Sequence, residues 1–178
     1  MKKYLVQFKP FLIFIGTFFS VYIILTLIYK VYLNSYSLND VDGITAFVAG
    51  NVQQLMLSFN ADIDIIKSFS SSCFEVWYNN KYTIRIIEGC NAVSIFILFT
   101  SFVIAFSGKL KTTLLFIFFG ILFIYVLNII RIALLTVLLF NYPEKEHFLH
   151  GVLFPLVIYG LVFVLWIIWV NKFSKYAK

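Results

Sequence analysis

Cys90, Arg131, His147 and His150 are the side chains of this sequence whose types could carry covalent chemistry between them. Cys90 stands where the run IRIIEGC, residues 84–90, gives way to a long apolar stretch. A thiol attacks as thiolate, so it needs a base or an electropositive neighbour. Imidazole is such a base. Arg131 stays protonated and cannot be one, but it can stabilise a thiolate or the oxyanion of an attacked carbonyl. Asn128 precedes Arg131 by three residues in NIIR, which puts both on one helix face. Its alternative role is an interhelical hydrogen bond. Glu88 can orient a histidine or receive a basic substrate, and its plainer reading is an exposed loop carboxylate. Both histidines lie in EKEHFLHG, residues 144–151, three apart on one helix face, so spacing alone allows either as base. With two cysteines and no CxxC spacing there is no four-ligand zinc site. No metal or organic cofactor is implied.

The elements that must position these groups are membrane helices. The chain is 62% hydrophobic and 12% charged, against roughly half and a quarter in soluble domains. The net charge of +6 comes from lysines clustered at the ends of apolar runs. That distribution sets membrane orientation and does not build a nucleic-acid-binding face. The sequence predicts one membrane domain, residues 1–178, with four spans of about 20 apolar residues each. They run roughly 11–29, 90–106, 113–140 and 148–170. No cleavage site follows the first, so it is an anchor and not a removed signal peptide. Lys2, Lys3 and Lys9, then Lys109 and Lys111, then Lys172, Lys175 and Lys178 flank the spans on one side, and all eight acidic residues fall on the other. The positive-inside rule then gives cytoplasmic termini.

The outer segment, residues 31–88, divides in two. Apolar residues from Val41 to Ile66 recur at mixed helical spacing, interrupted by Gly43 and Gly50. They predict one or two short amphipathic helices on the membrane surface. Residues 74–87 alternate, with Phe74, Val76 and Tyr78 on one side and Tyr82, Ile84 and Ile86 after an Asn79-Asn80 turn. That is a hairpin delivering the chain to Cys90. Its predicted register sets Cys73 against Ile86 and not against Cys90, so no Cys73–Cys90 disulfide is expected. A 28-residue apolar run containing Arg131 is long enough for the arginine to reach outer headgroups, or to face a polar cavity instead.

EGCNAVSIF at 88–96, NIIR at 128–131 and HFLHG at 147–151 resemble the three signature regions of exosortases and archaeosortases. These are membrane cysteine transpeptidases that process carboxy-terminal sorting signals. The family pattern is approximately E-x-C-S-G, N-x-x-R and H-x-x-x-G on successive helices. The resemblance implies Cys90 as nucleophile, Arg131 as the essential arginine and His147 as the histidine, with Gly151 completing the third motif. His147 also lies nearer the aqueous end, and His150 one turn deeper. Asn91 and Ala92 stand where the family has Ser-Gly, and four spans are about half the usual number. The chain thus resembles the short, exosortase F-like group.

The sequence therefore predicts an all-α polytopic membrane protein with a small extracytoplasmic helix and hairpin cap. It would be a peptidase or transpeptidase of the bacterial cytoplasmic membrane, acting at the outer face. Its partners would be the apolar carboxy-terminal signal of an exported protein and the lipid bilayer, with no nucleic acid. Two other classes stay open: a non-catalytic component of an export or assembly system, and a small channel or transporter subunit with Arg131 along a polar path.

Overall fold

Pro10, which has no N–H to lose in a first helical turn, opens a helix, α1, that runs Lys9–Leu33 and is apolar throughout. None of its residues is buried by the rest of the protein, as expected of a helix that faces lipid. The structure is a computed structural model and describes residues 8–37, 40–69, 71–106 and 108–174. Lys2, Lys3, Lys175 and Lys178 lie outside the described residues.

Asp42 caps the next helix, α2 (Gly43–Ser58): its Oδ1 accepts from the Ile44 and Thr45 amides at 3.0 and 2.9 Å. Thr45, Val48, Ala49, Val52 and Met56 form the buried stripe of α2 at helical spacing. Gly43 is its first residue and Gly50 lies inside it, so neither glycine interrupts it. The helix ends well before Ile66. Residues Ile63–Lys67 form a strand, β1, where helical periodicity was expected. Its isoleucines at 63, 65 and 66 suit a strand, and pairing with a ready-made hairpin completes it.

That hairpin is β2 (Phe74–Tyr78) and β3 (Lys81–Ile86), joined by Asn79 and Asn80, both left-handed at φ 50° and 59°. The pairing is antiparallel and the sheet order is β1-β2-β3. The protein is thus not all-α. A bulge at Thr83 shifts the expected register by one residue: Val76 pairs with Ile84, whereas Trp77 pairs with Tyr82. Phe74, not Cys73, therefore lies opposite Ile86. The bulge sets Ile84 and Ile86 on the Val76 face, where all three are buried, and leaves Tyr82 opposite Trp77, with ring centroids 5.9 Å apart. Both cysteines are free thiols.

After a 3-10 turn, Glu88–Cys90, the chain enters α3 (Val93–Ala105), then α4 (Leu110–Asn141). A short 3-10 turn, a single helical turn and a π-helical turn, Leu149–Leu153, lead into α5 (Phe154–Lys172). Among the described residues, three helices are long and apolar enough to cross a bilayer: α1, α4 and the continuous run Pro143–Lys172. The architecture is that of a helical membrane protein. The expected 90–106 span is only 13 residues of helix, about 20 Å. It cannot start at Cys90, because Ala92 is left-handed (φ 64°, ψ 6°) and a right-handed helix cannot propagate back through it.

Ring contacts give the helix directions. Phe14, early in α1, meets Phe102 and Phe106, late in α3, and Phe99 stacks near Phe116, early in α4. Gly108 bridges to Ser174. Lys9, Lys109, Lys111 and Lys172 consequently share one end of the bundle. The cap, with all eight acidic residues, occupies the other. At the lysine end Phe99, Val103, Ile124, Val162 and Trp169 form one core. At the cap end a second core joins α2, the sheet and α4 through Val52, Val76, Ile86, Ile132 and Leu135.

Candidate active site

Cys90 closes the 3-10 turn that converts the β3 direction into α3, and its amide donates to the Ile87 carbonyl at 2.8 Å. It is 8% exposed. Its own carbonyl accepts from Asn128 Nδ2 at 2.7 Å. Asn128, 1% exposed in the middle of α4, also accepts at Oδ1 from an Arg131 guanidinium nitrogen 3.4 Å away. Asn128 thus makes the interhelical hydrogen bond weighed for it, and the backbone it holds is that of Cys90. The second motif is tied directly to the first.

Cys90, Arg131 and His150 line one cavity of about 420 Å³ at the cap end. One wall is the stretch from Tyr82 to Ile87. The opposite wall is the α4 face of Arg131, Ile132, Leu135 and Leu139, and Glu146 with His150 closes the third side. Arg131 Nε is buried and donates to no protein atom, and among the described residues no carboxylate pairs with this guanidinium. Arg131 therefore brings to the cavity a positive charge that no carboxylate among the described residues bonds directly, and a developing anion beside it would be stabilised.

The histidines separate. His150 lies in the π-helical turn, within electrostatic reach of Arg131 and Glu146. His147 does not line the cavity. Its imidazole Nδ1 lies only 3.2 Å from where a Cβ on Gly151 would be. The His147–Gly151 spacing therefore reflects a ring seated over a residue without a side chain. The expectation of His147 as base rests on the resemblance to H-x-x-x-G and on its place nearer the aqueous end. His150, and not His147, lines the cavity with Arg131. Glu88 is exposed and lines a separate depression with Leu33, Tyr36, Asp40 and Asp42, so it is not beside the thiol.

Sequence reasoning also overlooked a buried polar network behind Cys90. Asn91, 2% exposed, donates from Nδ2 to Tyr29 Oη at 2.8 Å and to Thr45 Oγ1 at 3.1 Å, and its Oδ1 accepts from the Val93 amide at 3.0 Å. Thr45 Oγ1 in turn donates to Asp42 Oδ2 at 2.6 Å. The end of α1, the start of α2 and the turn after Cys90 are joined through these side chains. One legible signal was the Asp42-x-x-Thr45 pattern at a helix start. Ala92 next to it occupies the left-handed position that a glycine takes freely. Alanine stands there under strain.

No protein-family model matches this chain, and neither do curated proteins or solved structures.

Proposed function

We propose that the protein is an exosortase-like membrane cysteine peptidase or transpeptidase that processes carboxy-terminal sorting signals of exported proteins. The observation that carries this reading is the cavity shared by Cys90, Arg131 and His150, three groups far apart in sequence. The order of the three motifs along the chain supports it as well. In this reading α3 completes a fourth crossing, the lysine end faces the cytoplasm of a bacterium and the cap faces outward.

His150 takes the thiol proton, and the Cys90 thiolate adds to the peptide carbonyl, forming a C–S bond and an oxyanion beside Arg131. The C–N bond then breaks, the imidazolium returns its proton to the leaving amine, and a thioester remains. An amine, a hydroxyl or water attacks the thioester, the C–S bond breaks and the thiol is regenerated. Asn128 acts as a positioning residue through the Cys90 carbonyl.

A membrane-impermeant maleimide applied to intact cells tests the reading. Cys90 should be labelled, and labelling should stop processing of a secreted substrate, with Cys90→Ser equally inactive. A protein that still processes its substrate when Cys90 is replaced is not a cysteine peptidase. Processing lost by Arg131→Ala but untouched by Cys90→Ser would favour a packing or conduction role for the arginine.

A further inference from the structure

The strand that leads to Cys90 has an open side. With the order β1-β2-β3, β3 pairs only with β2, and among the described residues its other edge has no strand partner. That edge and the residue after it, Tyr82 to Ile87, make one continuous wall of the Cys90 cavity. Edge-strand N–H and C=O groups are a template for an added strand. Here the edge borders an open cavity of about 420 Å³, a size suited to ligand binding.

We propose that this cavity binds an extended, acidic segment of another polypeptide as a fourth strand along the free edge of β3. The inference rests on the peptidase reading above and names how its substrate is held. At about 3.3 Å per residue, the edge from Tyr82 to Ile86 accommodates four or five substrate residues, about 4.8 Å from β3. Because β3 runs toward Cys90, the strand direction itself carries the docked backbone to the thiol, and the carbonyl at that end is the one presented. A helical segment cannot use this edge. Its backbone groups are already paired, and its diameter of about 10 Å is twice the strand spacing.

Charge selects the segment. Arg85 stands on the strand wall and Arg131 on the helix wall, and Glu146 is the one carboxylate in the lining. Glu75 is the register partner of Arg85, on the β2 side. Among the described residues neither arginine forms an ion pair. A substrate carboxylate lying between the two walls would receive charge-assisted hydrogen bonds from them, whereas a lysine there would be repelled. The bulge at Thr83 belongs to the same arrangement, since bulges re-aim an edge strand next to a site.

The test uses full-length Cys90→Ser protein in lipid nanodiscs and a displayed library of ten-residue peptides. Enriched peptides should be acidic, and Arg85→Glu should shift selection toward basic ones. Single N-methylation of each amide in an enriched peptide should weaken binding about tenfold or more at every second position, where an N–H faces β3, and far less at the positions between. No enrichment, enrichment of basic peptides, or N-methyl effects without a two-residue period would overturn strand docking. Binding in this variant is independent of cleavage, and incubating the same peptides with wild-type protein reads the chemistry separately. Two-residue periodicity without any cleavage would support the docking mode and sink the peptidase reading.

Discussion

Asn128 holds the Cys90 carbonyl with one 2.7 Å hydrogen bond between segments far apart in the chain, so its removal has a calculable effect. Asn128→Ala leaves that carbonyl without its partner at a site where Asn128 itself is 1% exposed. Orphaning a buried polar group costs about 1–3 kcal/mol. Hydrogen bonds between membrane helices average nearer ~0.6 kcal/mol and reach ~1.7. Together these bracket a loss of about 1–2 kcal/mol. For a chain of this size each kcal/mol moves Tm by roughly 2–4 °C, so Asn128→Ala should melt about 2–8 °C below wild type. Tryptophan fluorescence on heating in nanodiscs reads this. Asn128→Asp separates the two contacts of this side chain. It removes the Nδ2 donor to Cys90 but sets a carboxylate toward the Arg131 nitrogen that lies 3.4 Å from Oδ1. If the donor matters, aspartate melts as low as alanine or lower. A shift below about 1 °C for alanine, or wild-type stability for aspartate, would refute the reasoning.

Three further outcomes follow from particular contacts. His150→Ala should reduce processing about 10²–10⁴-fold, the usual loss on removing a general base, while His147→Ala costs much less; cleavage at matched membrane levels reverses the assignment if His147→Ala is the inactive one. Gly120→Ala would drive a Cβ into the ring of Phe99, which is fully buried; overpacking of this kind costs about 1–3 kcal/mol, and Phe99→Leu in the same chain should recover much of it in thermal melts. Ala92→Gly removes a left-handed alanine and should stabilise the protein by about 1 kcal/mol. A lower Tm for that variant would mean the alanine methyl contributes packing that outweighs the strain.

Much of this arrangement was written in local pattern. Lipid solubility of the helices, the lysines at one end and the acids at the other follow from hydropathy and charge, because a bilayer demands about 20 apolar residues per crossing. The Asn79-Asn80 turn was legible because side chains that tolerate φ > 0 are few. Capping of α2 by Asp42 was also open to reading, since the interaction closes within three residues. Other features depended on neighbours that no local window contains. Strand β1 forms because a hairpin edge lies beside it, and its isoleucines suit the pleat only once that partner is there. The bulge at Thr83 moved the register by one and set Ile84 and Ile86 on the face opposite to Tyr82. Asn91 reads as a departure from a motif until Tyr29 and Thr45 are brought against it across 62 and 46 residues of chain. The sequence named Cys90 and Arg131 by residue type alone. It left two histidines one helical turn apart, with spacing allowing either and only the H-x-x-x-G resemblance favouring His147. That His150 and not His147 shares a cavity with Arg131 was decided by the tertiary structure, because it depends on how the turn before α5 packs against the α4 face and the end of β3.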